Sequence, residues 1–106
     1  MGEVVHNKLI RDKVPEIIRT HGATAVTRVL TEEEYRRALL DKLIEEATEL
    51  RDDNGSLGER VDVEEVLRAI DHTFSYDAET IEATRVKKAA AKGGFEQRIY
   101  LEKTVE

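Results

Sequence analysis

Two helix starts separated by a single break constrain this chain more than any other feature. Thr31 is followed three residues later by Glu34, and Ser56 by Glu59. In such a pattern the hydroxyl accepts from the third amide, while the carboxylate reaches back to the capping residue's own amide. Asn54-Gly55 lies between the two starts, and both residues tolerate the positive φ at which helices stop. The pattern predicts one helix over residues 32–52 and another over 57–74. Helices joined by so short a connection should run antiparallel and adjacent.

Punctuation elsewhere is sparse, with one Pro and six Gly. Pro15 suits the first turn of a helix that Gly22 ends. Asp77 caps a further long helix to Lys92, where Gly93-Gly94 ends it. "TAVTRVL", residues 24–30, and the closing "FEQRIYLEKTV" are strand candidates by composition and could pair. The expected fold class is all-α, a helical hairpin within a four-helix bundle, with room for a small two-stranded β-ribbon. One domain over residues 1–106 suits the length.

Hydrophobic residues make up 40% of the chain and charged residues 38%, with no Trp, so aliphatic packing between helices must supply the core. The absence of Cys excludes disulfides and thiolate metal sites. No apolar run approaches the roughly 20 residues of a membrane span, and no signal-peptide pattern opens the chain. No membrane partner is expected, and a cytoplasmic location is. Residues 31–82 carry 17 acidic and 6 basic side chains, whereas both flanks are net basic. An acidic middle repels nucleic acid and attracts cations, so no nucleic-acid partner is expected.

A helix turns about 100° per residue, which fixes the faces. With Leu39 at zero, Leu50, Leu43, Ala47, Leu40 and Ile44 form an apolar stripe from about 20° to 140°. Glu46 falls at the edge of that stripe and Glu49 one step outside it. Glu45 falls nearly opposite. On the following helix, Glu59 lies in the middle of the stripe formed by Val63, Val66, Leu67, Ala69, Ile70 and Phe74, and Asp62 lies within it. An ionised carboxylate buried alone costs several kcal/mol, so it must be paired or hold a cation. The pairs Glu46/Glu49 and Glu59/Asp62 have the i, i+3 spacing that places both groups on one face. Both lie near the turn, so the four can converge, and a divalent cation would relieve their repulsion. Oxygen donors without His or Cys favour Mg²⁺, with Mn²⁺ as the alternative. Two simpler readings stand beside this one. Glu59 can serve as a capping residue, and Glu49 can pair at the surface with Arg51 or Lys42.

"EEATE" followed by "ERVD" resembles the EExxE…ExxD motif of MazG-like all-α nucleoside triphosphate pyrophosphohydrolases. "NKLIRDKVPEII", "RVLTEEEYRRALLDKL" and "KGGFEQRIYLE" look like the phosphoribosyl-ATP pyrophosphohydrolase-like branch, and the likeness covers nearly the whole chain. The resemblance implies Mg²⁺-dependent cleavage between the α and β phosphates of a nucleoside triphosphate, giving a monophosphate and pyrophosphate, with nucleotide house-cleaning as a role. It also implies Glu46, Glu49, Glu59 and Asp62 as metal ligands, and Glu45 as a carboxylate that assists catalysis beside Glu46. The chain departs from the family pattern at Arg60 and Glu64, usually apolar, and in a shorter connection between the motifs. These departures bear on substrate choice.

An acidic site needs basic groups for the far phosphates, and Lys8, Arg11, Lys88 and Lys92 are the candidates. His6, His21 and His72 have no ligand spacing among them and are expected at the surface. The alternative function is a non-catalytic nucleotide- or metal-binding module, or a helical regulatory module on the same fold. A short chain poor in aromatics gains core by pairing, so a homodimer or higher homo-oligomer is expected.

Overall fold

The computed structural model describes residues 2–106 and contains four helices: α1 (Val14–Thr20), α2 (Glu32–Asp52), α3 (Leu57–Thr73) and α4 (Ala78–Lys92). The expected all-α class holds. The chain forms two compact units, one ending at Ser75 and the other Tyr76–Glu106.

Each long helix begins where local chemistry dictates. Thr31 accepts from the Glu34 amide at 3.2 Å, and the Glu34 carboxylate accepts from the Thr31 amide at 3.0 Å. Asp77 accepts from the Thr80 amide at 3.3 Å and opens α4. α2 ends in a tight double closure. The Asn54 amide donates to the Arg51 carbonyl at 3.0 Å and the Gly55 amide to the Leu50 carbonyl at 2.8 Å. That geometry requires positive φ, which Asn54 (54°) and Gly55 (79°) supply.

This turn folds α3 back along α2, and the two pack against each other. Their core is small: Leu39 from α2 with Val66 and Ile70 from α3. Leu9, Tyr35, Leu43, Ala69 and Phe74 close around it. The buried face of α2 is rotated from the one its apolar residues alone predict. Tyr35 and Lys42 are half-buried on one side, whereas Leu40 and Ala47 are exposed and Ile44 is 66% exposed on the other. On the inward side Tyr35 packs against the core and Lys42 is ion-paired to Glu45 and Glu46.

The strand candidates form no ribbon: among the described residues there is no strand. Val26 and Val29 in the first, and Phe95, Ile99, Tyr100, Leu101 and Val105 in the second, are exposed. β-Branched composition favours a strand only where a neighbour covers one face, and neither segment has that cover. Among the described residues no helix is long and apolar enough to cross a membrane.

Candidate metal centre

The antiparallel order of α2 and α3 places the last turns of one beside the first turns of the other. Leu39 therefore meets Val66 and Ile70 at one end, and the acidic residues meet at the turn end. Two overlapping groups result. Glu46, Glu59 and Asp62 each offer a carboxylate oxygen, all within 4.8 Å of one another, and Glu45, Glu46 and Glu49 do the same. Glu46 belongs to both and joins the helices. It is also the one buried charged residue among those described, at 7% exposure.

Cations hold part of this cluster. Lys42, one turn before Glu46, lies 3.2 Å from Glu46 Oε1 and 3.1 Å from Glu45 Oε1. Lys8 Nζ donates to Glu45 Oε2 at 2.6 Å, and Arg11 donates to Asp62 Oδ1 at 2.7 Å. Two oxygens have no hydrogen-bond partner although buried: Glu46 Oε2 and Glu59 Oε2. Buried acceptors are nearly always satisfied, and here two oxygens in one group of three are free to accept from a donor or a cation.

The electrostatics agree with the geometry. Burial raises the Glu59 carboxyl above its ordinary value, and the charges of Asp62, Asp53 and Glu46 add to that. The closeness of the Glu46 carboxylate and its charge raise Glu49. Glu45 behaves in the opposite way. Burial pushes its carboxyl up, but hydrogen bonds from Lys8 and Lys42 outweigh this and hold it below the usual range. Lys8 is raised in turn by its bond to Glu45.

The structure brings Glu46, Glu59 and Asp62 together as the sequence predicts, and Glu49 joins them through Glu46. Glu49 itself is exposed. Its expected surface partners are otherwise engaged, Arg51 with Asp52 at 3.2 Å and Lys42 with Glu45 and Glu46. Glu45 requires correction: it is half-buried and doubly ion-paired, not turned away from the packed side. The face containing it is completed by the N-terminal segment, which a helical wheel of α2 does not include. Glu59 does not complete a capping box. Ser56 accepts from the Glu59 amide at 3.4 Å, but the carboxylate does not return the bond.

Lys8 and Arg11 lie on the cluster. A cleft of about 140 Å³ opens beside it, lined by Asn7, Lys8, Leu9, Lys42 and Glu45 among others. Lys88 and Lys92 are exposed residues of α4 in the second unit. Lys42 is the site residue that sequence reasoning placed wrongly. Its i, i+3 and i, i+4 spacing to Glu45 and Glu46 was the available signal.

The chain is similar to a protein of Mycolicibacterium smegmatis (strain ATCC 700084 / mc(2)155) described as uncharacterized, at 52% identity over 44 residues. The match covers 42% of this chain and 45% of the relative. No family profile matches the chain. No solved structure matches it either.

Proposed function

We propose that this chain is a MazG-like nucleoside triphosphate pyrophosphohydrolase of the phosphoribosyl-ATP pyrophosphohydrolase-like branch. In this reading it acts in the cytoplasm on nucleoside triphosphates or related polyphosphates, as a house-cleaning hydrolase. Water is added across the bond between the α and β phosphates, releasing a nucleoside monophosphate and pyrophosphate. The observation that carries the reading is the pair of orphaned, buried oxygens on Glu46 and Glu59, within one group with Asp62.

The donor set fits a hard divalent cation, Mg²⁺ or Mn²⁺, because it is all carboxylate and has lone pairs to spare. Glu46, Glu59 and Asp62 would hold the ion, with Glu49 reaching it from the exposed side. When bound, such an ion neutralises phosphate charge and lowers the pKa of a coordinated water. The protein's own residues supply the rest. Glu45, kept ionised by Lys8 and Lys42, is an acceptor placed beside Glu46 to orient a water by hydrogen bonding. Lys8, Lys42 and Arg11 bring positive charge to the edge of an acidic site that would otherwise repel a polyphosphate. Arg60 and Glu64, the two departures from the family pattern, pair with each other at 3.1 Å.

A homodimer or higher homo-oligomer belongs to the same proposal. Among the described residues the hairpin buries three apolar residues, Leu39, Val66 and Ile70, and leaves Ile44, Leu57 and Val61 more than half exposed.

The test is a panel of nucleoside triphosphates incubated with Mg²⁺ and assayed for pyrophosphate, with Glu59→Gln as the control. Pyrophosphate from at least one nucleotide, lost in EDTA and in Glu59→Gln, is the expected result. Divalent-cation binding without turnover of any nucleotide would point instead to a non-catalytic metal- or nucleotide-binding module.

A further inference from the structure

The N-terminal segment meets the acidic cluster at two separate points. Leu9 packs against the hydrophobic core, and that anchor fixes the residues on either side of it. Lys8 is thereby set on Glu45, a member of one acidic group, and Arg11 on Asp62, a member of the other. Lys42 spans Glu45 and Glu46 between them. Five carboxylates (Glu45, Glu46, Glu49, Glu59 and Asp62) therefore face three cations, and two negative charges remain unbalanced when all are ionised.

The three cations are not equivalent. Lys8 and Lys42 bind Glu45, whose oxygens are both engaged and which is absent from the group containing both orphaned oxygens. Lys42 also touches Glu46 of that group, but from a nearly buried position, at 14% exposure, whereas Arg11 holds Asp62 from the open side. Its side chain is 55% exposed and Asp62's is 40%, so the pair can open without disturbing the core.

We propose that Arg11 is the resident counter-ion of the candidate metal centre, competing with a divalent cation for Asp62, so that cation binding releases its guanidinium toward the substrate side. This rests on the metal-centre reading above. Arg11 is a positioning residue: in the metal-free protein it holds Asp62 in place and lowers the repulsion within its group. In the loaded protein the freed guanidinium, still tethered beside the cluster by Leu9, meets phosphate oxygens. Metal and phosphate binding are thereby coupled with positive sign. The metal opens the Arg11–Asp62 pair, and a phosphate on Arg11 removes the metal's competitor.

The test is a Mn²⁺ titration followed by electron paramagnetic resonance, without nucleotide, on the wild type, Arg11→Met and Lys13→Met. Lys13 is two residues along, exposed and in no ion pair among the described residues, so its loss changes net charge equally. Arg11→Met is expected to bind Mn²⁺ about two- to fivefold more tightly than Lys13→Met, the range that an exposed ion pair contributes. Its midpoint of thermal unfolding in EDTA should fall, and the rise produced by Mn²⁺ should be larger than in the wild type. Arg11→Lys, which keeps the charge, should stay close to the wild type. Equal affinity in Arg11→Met and Lys13→Met, or weaker binding in Arg11→Met, would overturn the competition while leaving the metal centre standing. No Mn²⁺ binding by the wild type would overturn both.

Discussion

Thr31-x-x-Glu34 and Ser56-x-x-Glu59 are the same local pattern, and the structure uses them in opposite ways. At Thr31 both capping bonds form, and Arg28 adds two more contacts to the Glu34 carboxylate at 3.0 and 3.1 Å. That carboxyl is held down to about 2, by Arg28 first and the Thr31 amide second. At Ser56 only the hydroxyl's half of the box is made, at 3.4 Å. Glu59 keeps an oxygen buried without a partner, and burial pushes its carboxyl up. One glutamate is satisfied by its own helix end, while the other is withheld from it. The difference lies in what faces each: solvent and Arg28 in one case, Glu46 and Asp62 in the other. A motif sets what a side chain can do, and the packed neighbour selects among those uses.

The contrast breaks most sharply in activity. Glu59→Gln preserves shape and capping ability, so if Glu59 only capped, nothing should change. Loss of at least about 100-fold in Mg²⁺-dependent pyrophosphate release is expected, since even outer partners of a metal site cost 10–100-fold. Glu34→Gln is expected to leave turnover unchanged, and assaying the two variants side by side decides the matter. An active Glu59→Gln protein would remove the centre of the proposed site.

Metal-dependent stability gives the next largest separation. A cation at about 100 times its dissociation constant should add about 2.7 kcal/mol by mass action. Thermal melts in EDTA and in excess Mg²⁺ should show that gain in the wild type and in Glu34→Gln, and lose most of it in Glu59→Gln. A gain retained in Glu59→Gln would place the cation elsewhere.

Cap deletions should differ more modestly. Thr31→Ala is expected to cost about 1 kcal/mol, the usual value for a capping hydroxyl. Ser56→Ala should cost less, because its bond is longer and unreciprocated. Chemical denaturation midpoints in EDTA measure both, and an equal loss at the two positions would contradict the half-formed box.

The smallest effect is in pH dependence, and here the two glutamates have opposite signs. Glu34 is lowered, so its contribution is present above the unfolded value near 4.3 and is lost as pH falls toward about 2. Glu59 is raised, so its contribution is present below that value and is lost as pH rises through the folded one. In EDTA, Glu59→Gln should therefore flatten the fall in stability between about pH 4.3 and neutrality. Glu34→Gln should flatten the loss below that window. Unfolding midpoints against pH for both variants test the signs.

The helix starts at Thr31, Ser56 and Asp77 were legible because capping depends on a few adjacent residues. The inward positions of Glu46, Glu59 and Asp62 were legible from helical periodicity. Glu45 was not, because Lys8 lies 37 residues away and periodicity within one helix carries no information about a segment docking onto it. The rotation of α2 that exposes Ile44 escaped for a related reason. An apolar wheel weighs Leu and Ile, but Tyr35 and the ion-paired Lys42 also turn inward. Residues 24–30 looked like a strand because strand propensity describes fit to a neighbour that the sequence does not identify.

The turn at Asn54-Gly55 has a consequence in time. It brings Glu46 and Glu59 together across a loop of about a dozen residues, whose closure is entropically light, whereas Arg11 reaches Asp62 across 51. Contacts of short sequence separation form early in folding. The hairpin is therefore expected to assemble its carboxylates before Lys8 and Arg11 arrive, passing through a stage in which the acidic group is crowded and compensated by Lys42 alone. Mg²⁺ present during refolding should shorten that stage, and stopped-flow refolding with and without the ion would measure by how much.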